Sequence, residues 1–98
     1  MAMEHKPVIC SGTLLRPGVL SFGAFKAILK DATGEVVVWV EPNRWPKFDS
    51  AAKAMLTTNA KLKIRGTLKT FFDKRLNTRI LELIPDEQPG CIVRHGTN

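Results

Sequence analysis

The chain alternates apolar and polar positions with period two over several short runs, and turn-forming residues punctuate those runs. Phe25, Ala27 and Leu29 fall on one side of an extended segment, with Lys26, Ile28 and Lys30 on the other. After the turn Asp31-Ala-Thr-Gly34 the same rule groups Val36, Val38 and Val40, and leaves Val37 and Trp39 opposite them. The pair reads as a β-hairpin whose valines face a core and whose outer face carries Lys26, Lys30 and Trp39. Cations beside a flat aromatic suit a nucleic acid strand, because phosphates are attracted to positive charge and bases stack on rings.

Two further strands share a signature. Val8 to Leu15 sets Val8, Cys10, Gly12 and Leu14 on one phase, and Ala60 to Lys69 sets Leu62, Ile64, Gly66 and Leu68 against Lys61, Lys63, Arg65 and Lys69. Both contain Gly-Thr-Leu at the same phase. A glycine inside a strand weakens it, so two at matching places point to sharp coiling at a barrel corner. Between strands three and four, Asp49 or Ser50 can cap a short helix whose apolar side is Ala52, Met55 and Leu56. A last strand runs from about Leu76 to Ile84, after the aromatic and basic loop Thr70-Phe-Phe-Asp-Lys-Arg75. The expected fold is all-β with one short helix. Its domain covers 8–85, between an N-terminal tail, 1–7, and a flexible C-terminal tail, 86–98.

Composition narrows the function. Ninety-eight residues with 44% apolar content suffice for one modest core. Lys and Arg total 15 against 9 acids, a net charge of +6 that favours a polyanionic partner. No apolar run reaches membrane-spanning length, and the opening Met-Ala-Met-Glu-His-Lys lacks the pattern of a secretory signal, so a cytoplasmic location and no membrane partner are expected. Cys10 and Cys91 are then expected as free thiols, one buried in a strand and one in the tail. Cys91 with His95 lacks the further ligands of a zinc site, and no phosphate loop or carboxylate cluster appears. The sequence therefore predicts a non-enzymatic protein without metal or cofactor.

Three strands, a short helix and two strands, with Leu29-Lys-Asp-Ala-Thr-Gly-Glu-Val-Val-Val and Leu62-Lys-Ile-Arg-Gly-Thr-Leu at their places, resemble an OB-fold. These motifs are similar to the anticodon-binding OB domains of class II aminoacyl-tRNA synthetases and to OB domains of replicative polymerases and repair helicases. The resemblance implies a five-stranded Greek-key barrel with its helix between strands three and four. It also implies a site on the outer face of strands two and three, flanked by the loops after strand one and between the last two strands. On this chain those positions are Lys26, Ile28, Lys30, Val37 and Trp39 on the face, Arg16 and Phe22 in the first loop, and Phe71, Phe72, Lys74 and Arg75 in the other.

The function expected is binding of single-stranded nucleic acid, DNA ahead of RNA, with little sequence specificity. Lys26, Lys30, Arg16, Lys74 and Arg75 would neutralise phosphates, and Trp39, helped by Phe22 or Phe72, would stack bases. Of the adjacent Phe71 and Phe72, one belongs to the core. Phe22 fits either the barrel mouth or a base. Lys61, Lys63 and Arg65 read as a solvated outer face, and Trp45 as a packing anchor for the helix. The rival is an interaction module, an adaptor or inhibitor, self-associating or serving replication, repair or conjugation, whose Trp39 and Ile28 face binds a protein.

Overall fold

The computed structural model describes residues 6–87 and 90–95. In chain order it contains β1 (Lys6–Val19), β2 (Phe25–Asp31), β3 (Gly34–Val40), a 3-10 turn (Trp45–Lys47), α1 (Ser50–Met55), β4 (Lys61–Asp73), β5 (Thr78–Pro85) and β6 (Ile92–Arg94). Antiparallel pairs β1–β2, β2–β3, β4–β5 and β1–β4, with one parallel pair β3–β5, close a five-strand ring. This is the Greek-key barrel expected, with α1 between β3 and β4.

The hairpin register agrees with the alternation. Lys26 stands directly across from Trp39 and Ile28 from Val37. Phe25, Ala27, Leu29, Val38 and Val40 are buried, whereas Lys26 and Lys30 are exposed. They join Leu14, Leu62, Ile64 and Leu83 in a single core, and Phe48, Ala52 and Leu56 close one end of it. Asp49 caps α1 by accepting from the Ala52 N–H at 2.9 Å. Trp45 stacks on Phe25 at 4.5 Å between ring centres and lies 5.8 Å from Phe48, with the Lys53 ammonium 4.7 Å from its ring. It anchors the helix by packing, as its sequence setting predicts.

The paired glycines mark where two long strands change neighbours. β1 pairs with β4 over its first half and with β2 over its second; β4 pairs first with β1, then with β5. A Cβ on Gly12 would come within 2.6 Å of the Lys30 carbonyl oxygen, and one on Gly66 would be driven into the Ile84 carbonyl. Only glycine lets backbones approach this closely at the two corners.

Three boundaries differ from the sequence reading. Lys6 and Pro7 already belong to β1, leaving 1–5 of the proposed tail outside the described residues. Arg16-Pro-Gly does not end the first strand; a bulge between Leu15 and Gly18, with Arg16 at φ 53°, absorbs it and pairing with β2 resumes. The segment assigned to a C-terminal tail returns to the barrel, since β6 pairs with β4 on the edge that β5 leaves after Pro85. The Arg65 carbonyl accepts from the Asp86 N–H and its N–H donates to the Cys91 carbonyl, bracketing the excursion. Cys91 and Ile92 are 2% and 1% exposed, so this return contributes to the core. Both cysteines are free thiols.

Candidate nucleic-acid interface

β2, β3, β5 and β4 lie side by side, and their outward residues form a groove centred on Trp39 and Glu82. One half, a depression of about 330 Å³, is lined by Lys26, Val37, Trp39, Phe71, Arg75 and Glu82, among others. The other half shares Trp39 and Glu82 and adds Glu41, Arg44, Thr67, Lys69 and Ile84. The tight turn after β1, in which the Gly23 N–H donates to the Leu20 carbonyl, holds Phe22 over this face. Its ring centre is 6.1 Å from that of Trp39, tilted by 41°, and the side chain is 60% exposed. Trp39 is half-buried and Phe71 is 46% exposed, so three rings remain accessible along one groove.

Of the residues singled out from sequence, Trp39, Lys26, Phe22 and Arg75 meet here. Lys30 shares the outer face but lies about 13 Å further along β2 at strand rise, opposite Glu35, and is not part of the lining. Arg16 is exposed on the β1 bulge and Lys74 in the β4–β5 turn; neither lines the groove. Phe72 is placed on the wrong side for the stacking role: strand alternation turns it away from Phe71, which lines the groove with Trp39. Phe72 is 49% exposed, so neither phenylalanine enters the core. The alternation of Lys61, Lys63, Arg65 and Lys69, carried two residues further, contains the signal for Phe71.

The groove mixes charges, which the sequence reading missed. Lys69 stands opposite Glu82 in the β4–β5 register, yet the two form no ion pair. Arg44 is held away from ligand: one guanidinium nitrogen donates to the Pro85 carbonyl at 2.7 Å, and its buried Nε sits 2.7 Å from the Glu87 carboxylate without hydrogen-bond alignment. Arg75 is almost fully exposed and 3.9 Å from Asp73, whose Oδ1 accepts from the Arg75 and Leu76 N–H groups to shape the turn. Lys26 and Lys69 carry no ion pair among the described residues, so they are the groove's free cations.

Asp31, in the tip of the β2–β3 hairpin, is held below the usual carboxylate range by hydrogen bonds from the Thr33 hydroxyl and N–H, which favour its charged form. Burial raises both thiols, with Asp31 adding to the effect at Cys10 and Asp86 at Cys91. Among the described residues no group of three His, Cys, Asp or Glu side chains could hold a metal ion. Nor is any described helix long and apolar enough to cross a membrane.

No protein-family model matches the sequence, and no curated protein matches it. Solved structures do. OBody NL8 bound to hen egg-white lysozyme is 21% identical, with a TM-score of 0.68, over 95% of this chain and 98% of that one. OBody AM3L15 bound to hen egg-white lysozyme is 18% identical, with a TM-score of 0.67, over 99% and 82%. At such identities the likeness speaks to architecture, and with the ring topology and the position of α1 it makes this chain an OB-fold barrel.

Proposed function

We propose that the groove binds single-stranded nucleic acid without a chemical step. The observation that carries the reading is the cluster of three accessible rings, Phe22, Trp39 and Phe71, with Lys26 directly across from Trp39. Bases would lie over the rings with phosphates outward toward Lys26, Lys69 and Arg75. Glu82, on the floor between them, disfavours a phosphate there and favours a base edge carrying N–H donors. Three phosphate contacts give a slope of about −2 for the logarithm of affinity against the logarithm of salt concentration. Titrating single-stranded DNA, single-stranded RNA and duplex at two ionic strengths, followed by Trp39 fluorescence, tests this. Single strands should quench the indole and bind more weakly at higher salt. The absence of any single-strand binding at low salt would refute the proposal.

A second reading, docking of a protein on the same face, is favoured by the acids Glu41, Asp73 and Glu82 within the groove. Exposed Phe72 and Leu76 on the β4–β5 arm favour it as well. Apolar docking persists or strengthens with salt, where phosphate binding weakens.

A further inference from the structure

The outward row of β4 does not stop at the groove. Alternation sends Lys61, Lys63 and Arg65 to the outside while Leu62, Ile64 and Gly66 are buried, and the same row continues as Thr67, Lys69 and Phe71 of the groove lining. We propose that the strand held in the groove runs on along β4, with Lys61, Lys63 and Arg65 binding its phosphates and Ile9 and Val93 supplying apolar flanks. This rests on the nucleic-acid reading above.

The surroundings of the row differ from those of the groove. Lys61 faces Thr13 across the sheet, Lys63 lies between Ser11 and Val93, and Arg65 faces Ile9. The one acid in contact is Asp86, whose Oδ2 is 3.2 Å from Arg65 Nε. The Arg65 side chain is still 46% exposed, leaving the rest of its donor fork available. Three cations with a single acid attract phosphate more strongly than the mixed groove does. Successive members of the row are about 6.6 Å apart at strand rise, comparable to the phosphate interval of an extended single strand.

Two apolar side chains exposed in this otherwise polar sheet face also find a use here. Ile9 is 64% and Val93 44% exposed, and Pro7, Val8 and Ile9 form a shallow depression with the Arg65 side chain. Cations interleaved with apolar surface match the alternation of phosphate with sugar and base along a nucleic acid strand.

The experiment uses the full chain and labelled oligothymidylates of about five and about fifteen nucleotides, within the range of single OB site sizes. Affinity is read by fluorescence anisotropy at several salt concentrations. The wild type should bind the longer strand more tightly and with a steeper salt slope. In the Lys61→Ala, Lys63→Ala, Arg65→Ala protein the longer strand should lose a slope of about 2 while the short strand keeps its affinity. A Lys61→Glu, Lys63→Glu protein retains the Arg65–Asp86 pair and should give the same pattern, which separates the effect from any loss of folding. Short-strand binding with an unchanged long-strand slope in these variants would overturn the track alone. Failure of the short strand to bind wild type would overturn the groove reading and the continuation with it.

Discussion

Truncating Trp39 isolates the stacking contribution from the fold. The indole lies outside the barrel, opposite Lys26 and 6.1 Å from Phe22, and takes no part in the buried core cluster. Removing it loses one tilted aromatic pair, about 1 kcal/mol, or a fall of about 4 to 8 °C in Tm for a domain of this size. Base stacking on an aromatic side chain contributes about 1 to 3 kcal/mol. Phe22 and Phe71 remain to offer partial stacking, so the lower half of that range applies to Trp39→Ala, a loss of about 5- to 30-fold in affinity. Trp39→Phe should recover most of it. The assay is anisotropy of a labelled single strand at low salt, with circular dichroism and thermal melting to show that the variant is folded. A folded Trp39→Ala protein with wild-type affinity would refute the stacking argument, because no other residue in the groove offers an indole's surface.

The cations make a sharper division than the sequence did: Lys26→Ala with Arg75→Ala should flatten the salt slope by about 1.4, while Lys30→Ala, outside the groove, should leave it unchanged. Equal effects from the two proteins would mean that the strand follows the β2 face, not the groove. Gly66→Ala forces a methyl group against the Ile84 carbonyl with backbone on both sides, and should destabilise by roughly 3 kcal/mol, more than about 10 °C in Tm; a melt within a few degrees of wild type would show that the corner is not closely packed. Burial holds the Cys91 thiol above its unfolded value of 9.0, so the folded state binds its proton more tightly. Its contribution to stability is complete below that pH and is lost as pH rises from there through the higher folded value. Thermal melts across this range should fall more steeply for wild type than for Cys91→Ala, and parallel curves would contradict the burial.

Local alternation carried much of the interface. Lys26 and Trp39 oppose each other because period-two patterning with a buried valine face admits one register for the β2–β3 hairpin. The matched glycines of β1 and β4 were legible for the same reason, since an apolar strand tolerates glycine where another backbone must come close. Phe71 was within reach of the pattern. The β4 alternation, continued past Lys69, puts Phe71 outward beside the cations and turns Phe72 away from them.

What the chain could not disclose locally is which strands become neighbours. Glu82 and Lys69 reach Trp39 through the parallel β3–β5 pair and the β4–β5 register, and Arg44 arrives from the loop after β3. Each of these meetings joins segments far apart in sequence, whose pairing is decided by closing the whole barrel. The return of β6 is of the same kind: Pro, Gly and polar residues around 85–90 look like a tail until the free edge of β4 and the space filled by Cys91 and Ile92 exist to receive them. Sequence alone thus determined the strands, the helix, the corners and the outward faces, because side-chain periodicity is a property of each strand. The composition of the groove and the extent of the domain were decided by tertiary structure, because hydrogen-bond partners and buried volume belong to the closed barrel and to no single segment of it.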